Sequence, residues 1–220
     1  MASLMNLSVY LVPLLALVLG SGVIVDEKRR GTLDLVLTYP VSSSEYFTGT
    51  YLGYCSALWM ALLCSFAPIG VILMATPAIE PLEFLLLAVV VLLLGAVFLA
   101  LAFLISILCK NHGKGVATSI LLWIVAVFVF DLVLVGTLVL LGDRIPPSLF
   151  GYLLLLNPTD VFRLLCFSWV GSAASPLGLA AVSPPFPAGL LVGVLVAWMV
   201  VPLLISRRLF HRRLGADNLV

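Results

Sequence analysis

The sequence predicts an all-α fold, a polytopic membrane helical bundle, and three observations carry that prediction. Hydrophobic residues make up 63% of the chain against 10% charged, with a mean hydropathy of +1.28, too few polar groups to build a water-facing surface. Several apolar runs are each long enough to cross a hydrocarbon core of about 30 Å at about 1.5 Å per residue. The basic residues cluster at alternate ends of these runs, as the positive-inside bias expects of cytoplasmic loops. Beside that distribution the net charge of +1 says little, and nothing supports nucleic-acid binding.

The first span is read over residues 4–25, with Pro13 inside it as an expected kink. No basic residues precede it and no small-residue cleavage pattern precedes the charged loop, so it reads as a retained helix rather than a signal peptide. Lys28, Arg29 and Arg30 place its end in the cytoplasm and leave Met1 to Ser3 as a very short outer tail.

Residues 26–49 form the one long stretch before the last third that is dense in charge and turn formers. Gly31 is placed to close the preceding helix in a left-handed conformation, and Leu33 to Tyr39 give one or two amphipathic turns before Pro40 stops them. Ser42 and Glu45 form a capping box, with Val41 and Tyr46 as the hydrophobic staple of the next helix. A plain connector needs only a few polar residues, so buried-looking Leu, Val and Tyr point to a docking surface for a soluble partner. The plainer reading is an elbow lying on lipid headgroups.

The second span, 50–75, carries small residues at every fourth position: Gly49, Gly53, Ala57, Ala61 and Ser65. Such a ridge predicts one face packed closely against a neighbour, in this subunit or another. The third span, 84–109, ends in Lys110 to Gly115 on the inner face. Gly113-Lys114-Gly115 lacks the upstream glycine, the following Ser or Thr and the strand of a phosphate loop. Cys109 and His112 stand one helical turn apart, but a metal site needs three or four ligands. Cys55, Cys64, Cys109 and Cys166 are spread along the chain without paired spacing and read as small buried hydrophobes.

The fourth span, 116–141, contains Asp131. A carboxylate at membrane depth costs about 2.5–3.5 kcal/mol on insertion scales, so it faces a protein interior or a wet cavity. It is either a path residue or a structural carboxylate, protonated or paired with an arginine. In the outer region, Ser148 to Leu156 and Val161 to Val170 are each about half of the roughly 20 residues a span requires. Asn157 can cap and Pro158 can open a helix between them, which gives a re-entrant helical hairpin over 148–170. Reading 149–170 as one continuous span would put Pro158, Asp160 and Arg163 in lipid and export the C-terminal arginines. With the hairpin, nine basic residues (Lys28, Arg29, Arg30, Lys110, Lys114, Arg207, Arg208, Arg212, Arg213) lie inside and two, Arg144 and Arg163, outside. The last span, 188–206, carries Gly189 and Gly193 as a second close-packing pair, and the basic run with His211 follows at the headgroups.

Glu27, Gly31-Thr32-Leu33 and Pro40-Val41-Ser42, in that order around an amphipathic segment that includes Leu37, resemble the first cytoplasmic loop of ABC-2 type transporter permeases. Phe130-Asp131-Leu132 and the string Asn157-Pro158-Thr159-Asp160-Val161-Phe162-Arg163 are similar to one branch of that family, the permeases that serve maturation of the copper sites of nitrous oxide reductase. The resemblance implies a non-catalytic subunit of a multi-pass inner-membrane complex. Glu27, Gly31, Thr32, Leu33, Leu37 and Pro40 would form the loop that couples to an ABC ATP-binding subunit. Asp131 would lie on the path, and Asn157, Pro158, Asp160 and Arg163 would hold the outer hairpin. The resemblance also implies a homodimer, an extracytoplasmic partner, and ATP and Mg held only by the ATPase. Family members have a further helix before the first span read here, so the N-terminus looks truncated. An ABC-2 permease exporting a drug or lipid is the alternative. An intramembrane hydrolase would need paired aspartates or a Ser-His couple at depth, and the spans contain no histidine.

Overall fold

A computed structural model describes residues 2–31, 42–74, 81–141, 147–170 and 186–217. Their regular structure is entirely helical, in chain order α1 (Ala2–Ser21), α2 (Val23–Arg30), α3 (Ser43–Met74), α4 (Pro81–Leu108) and α5 (His112–Ile124). One π-helical turn, Val125–Val129, continues α5 into α6 (Phe130–Leu141); α7 (Pro147–Leu154), α8 (Pro158–Val170) and α9 (Ala188–Asp217) follow. Among the described residues, 5 stretches are long and apolar enough to cross a membrane: Ala2–Arg30, Ser43–Ile72, Pro81–Leu108, His112–Leu140 and Ala188–Arg212. The outer region is two short helices and not one span. Backbone bonds from Leu155, Leu156 and Asn157 back to the carbonyls of Tyr152, Leu153 and Leu154 tighten the end of α7 before Asn157 starts α8.

The centre of the bundle is α4, which packs against α1, α2, α3, α5, α8 and α9. Its sequence is apolar all round, the pattern of a helix that is buried or spans a membrane. Leu94, Ala96, Val97, Phe98, Leu99, Ala100, Ala102 and Phe103 are all 0% exposed. Close approach to α1 depends on Gly20, where a Cβ would lie 2.6 Å from the Ala102 Cβ. In a hydrocarbon environment, whether inside the bundle or at its lipid-facing surface, aromatic N–H and O–H groups take backbone carbonyls as partners. Trp59 donates to Leu92 O at 3.0 Å, Tyr51 to Ala96 O at 3.0 Å, Trp123 to Tyr10 O at 2.9 Å and Trp198 to Leu155 O at 3.2 Å. Each of these bonds ties two elements together.

Among the described residues, nothing packs against the glycines of the small ridge of α3. Gly49 and Gly53 have no atom within 4 Å of a Cβ position, and Gly49, Gly53, Ala57, Ala61 and Ser65 are all exposed. The face of α3 turned inward is the larger-residue one, with Phe47, Tyr51, Cys55, Leu58 and Leu62 buried. The Gly189 and Gly193 pair is also open, and α9 packs instead through Leu191 and Leu195. Small residues permit close approach without requiring it inside one subunit.

Candidate functional site

Two clusters of polar side chains stand out, one at the end of the bundle where the basic run lies and one around the start of α8. At the first, α1 stops at Ser21, and the chain bends at Gly22 before α2 resumes. The bend leaves two amides short of helical partners. The hydroxyl of Ser106, a buried residue of α4, accepts both, from Ile24 N–H at 3.0 Å and Val25 N–H at 3.3 Å. A carboxylate oxygen of Asp26 lies 3.0 Å from His112 Nδ1, so the histidine at the start of α5 is engaged with α2. Gly31 then ends α2 at φ 69°, its N–H reaching Lys28 O at 3.3 Å, the left-handed stop that its place after the basic run implies.

The far foot of the loop is built as the capping box requires. Ser42 N–H donates to Glu45 Oε2 at 2.9 Å, and Glu45 N–H donates to Ser42 Oγ at 3.3 Å. Tyr46 donates its hydroxyl to the Glu27 carboxylate and stacks on Phe210 of α9, with ring centroids 6.2 Å apart. Val41 itself lies outside the described residues. Phe47 continues the aromatic contact to Phe210 and to Phe103 of α4. The two feet of the loop are thus clasped to each other, and through them α2, α3, α4, α5 and α9 meet. Glu27 and Gly31 sit on the first foot; Thr32, Leu33, Leu37 and Pro40 lie outside the described residues.

At the second cluster the structure brings together all of the outer residues singled out from sequence. Asn157 caps α8: its Oδ1 accepts Thr159 N–H at 3.3 Å, its carbonyl accepts Asp160 and Val161 N–H at 3.1 Å, and Pro158 occupies the first turn. Arg163 Nη1 donates to Asp131 Oδ2 at 2.7 Å and to Asp160 Oδ1 at 3.0 Å. One guanidinium therefore serves two carboxylates. Asp160 is 3% exposed and also accepts Asn157 Nδ2 at 3.0 Å. Burial first, then the negative charge of Asp131, hold the Asp160 carboxyl above the usual carboxylate range, against the opposing pull of Arg163 and Asn157. The Asp131 side chain is 34% exposed, at a surface flanked by exposed Phe128 and Leu132 and by Tyr10, which stacks on Phe128.

Sequence reasoning missed Ser106, the Tyr46–Glu27 clasp and the role of Thr159, whose hydroxyl donates to Ala126 O at 3.2 Å. The capping string Asn157-Pro158-Thr159 was a signal for the last of these. Ser106 carries no signal, because its use depends on a bend in a different helix.

The described helices form a polytopic bundle with a clasp between α2 and α3 and a polar cluster around the start of α8. The chain belongs to the ABC-2 transporter family: the profile described as "ABC-2 family transporter protein" matches residues 5–213. It is a permease subunit of that class. Among its relatives is the probable ABC transporter permease protein NosY of Stutzerimonas stutzeri, 36% identical over 228 residues that cover 97% of this chain and 80% of the relative. The probable ABC transporter permease protein NosY of Pseudomonas aeruginosa is 36% identical over 225 residues, 96% of this chain and 79% of the relative.

Proposed function

We propose that this permease works in the cytoplasmic membrane with a separate ATP-hydrolysing subunit, and that its output is assembly of the copper centres of nitrous oxide reductase. The observation that carries this reading is the likeness to two NosY permeases along almost the whole chain. A NosF-like ATP-binding subunit, holding ATP and Mg, docks on the loop formed by Glu27, Gly31, Thr32, Leu33, Leu37 and Pro40. A NosD-like protein meets the outer side. The clasp between Glu27 and Tyr46 supports a loop that moves as a lever, since a push on it reaches α2, α3 and α9 together. Any such push must favour one permease conformation over another.

The functional unit is a homodimer whose copies meet through α1 and the α5–α6 face. Support comes from the partly open Asp131–Arg163 pair, since charge at membrane depth is costly against lipid and is covered by protein or a wet cavity. Exposed Phe128 and Leu132 lie close to Asp131 in the chain, and Tyr10 of α1 stacks on Phe128. Asp131 then lines the central interior, and Asn157, Pro158, Asp160 and Arg163 hold the outer hairpin that shifts during the cycle. The test is deletion of the gene followed by purification of the reductase. Loss of copper content and colour is expected. A reductase with its full copper complement would replace this reading with a permease exporting a drug, lipid or other small molecule.

A further inference from the structure

The helix that carries Asp131 is irregular immediately before it. Val125–Val129 form a π-helical turn, which fits one extra residue into a turn and loosens a carbonyl from the ladder. Because a helix advances about 100° per residue, that extra residue rotates everything beyond it by about 100° relative to everything before it. Asp131 follows the turn closely, so the turn decides which way its carboxylate faces.

The carbonyl of Ala126, inside the turn, is taken by two side chains from another element. Asn157 Nδ2 donates to it at 2.7 Å and Thr159 Oγ1 at 3.2 Å. Both donors are buried, Asn157 at 3% and Thr159 at 0% exposed. Both belong to the start of α8, the helix whose Arg163 reaches Asp131. The same helix end therefore holds the turn open and supplies the cation that the turn points Asp131 towards.

We propose that Asn157 and Thr159 are positioning residues: by holding the Ala126 carbonyl they keep the π-turn open, and the open turn aims Asp131 at Arg163. In the cycle proposed above, withdrawal of the outer hairpin removes both donors, the turn relaxes to regular α-helix, and the outer half of the helix rotates with Asp131. This second statement rests on the proposed function; the first stands on the geometry alone.

The test uses the full-length chain in native membranes, with its native cysteines replaced by serine and new ones at Asp131→Cys and Arg163→Cys, probed with a short bis-thiol reagent. Efficient cross-linking is expected. Adding Asn157→Asp and Thr159→Val, which removes both donors, should lower the yield about tenfold, on the scale that losing buried hydrogen bonds shifts a two-state population. If that pair does not insert, Thr159→Val alone should lower the yield severalfold while Thr159→Ser, which keeps the hydroxyl, preserves it. Equal yields with and without the donors overturn the proposal. A donor-dependent yield that ignores ATP in the presence of the ATP-binding subunit keeps the positioning role and removes the rotation in the cycle.

Discussion

Arg163→Met removes the one cation that Asp131 and Asp160 share. The guanidinium makes bonds of 2.7 Å and 3.0 Å to them, and deleting one partner of a buried pair costs about 3–5 kcal/mol because the other charge is left uncompensated. Asp160, at 3% exposed, bears most of that penalty, held to the low end of the range because burial already favours its protonated form. Asp131, with a side chain 34% exposed, can be solvated, so its half is discounted. The expected loss is about 3 kcal/mol for Arg163→Met. Asp131→Asn leaves Arg163 its bond to Asp160, and one hydrogen bond weakened rather than orphaned costs about 1 kcal/mol. Adding Asp160→Asn to Arg163→Met neutralises the stranded carboxylate while still accepting from Asn157, and should recover about half of the loss. Thermal unfolding of the purified chain in detergent, followed by tryptophan fluorescence, orders the three variants: Arg163→Met lowest, the double variant next, Asp131→Asn highest. Equal losses for Arg163→Met and Asp131→Asn, or no recovery in the double variant, would refute the shared-cation account.

Gly20→Val forces side-chain atoms onto Ala102 and should destabilise the α1–α4 contact by about 1–3 kcal/mol, whereas Gly53→Val meets open space and should leave the unfolding temperature of the subunit unchanged. Ser106→Ala orphans the amides of Ile24 and Val25, costs about 1–3 kcal/mol, and should raise hydrogen exchange at those two positions before it affects the rest of α1. In the reconstituted complex, Glu27→Ala and Tyr46→Phe should uncouple ATP hydrolysis to the same extent. The double variant should be no worse than either, and Glu27→Gln, which still accepts the Tyr46 hydroxyl, should be close to unaltered. Gly31→Trp should uncouple as well, since φ 69° strains any residue with a Cβ, without unfolding the bundle.

What the sequence made legible follows the range of the interaction that decides each feature. The spans were readable because hydrophobicity over about 20 residues is sufficient to place a helix in a membrane. Gly31, the Ser42–Glu45 box and the Asn157-Pro158 start were readable because a cap is settled by residues within one turn of it. That Asp131 pairs with some arginine was one of the open alternatives, but Arg163 was not named, since a carboxylate at depth demands a partner without identifying it. The π-turn was invisible: Val125 to Val129 hold no glycine or proline, and the donors that hold the turn open lie in another helix. The ridge on α3 was visible, but a periodicity of small residues does not name the surface it meets. Its periodicity is strong, yet among the described residues the close approach to α4 is made by Gly20, one turn after Ala16 on α1.

The central claim is that the loop after α2 is where a separate ATP-hydrolysing subunit pushes on this bundle, and a photo-cross-linking residue at Leu37 in intact membranes tests it most directly. Capture of an ATP-binding subunit, lost when its nucleotide-hydrolysing partner gene is deleted, is the result expected. Labelling of that position by a membrane-impermeant reagent from outside the cell, or its capture of lipid alone while copper-centre assembly proceeds, would contradict the account.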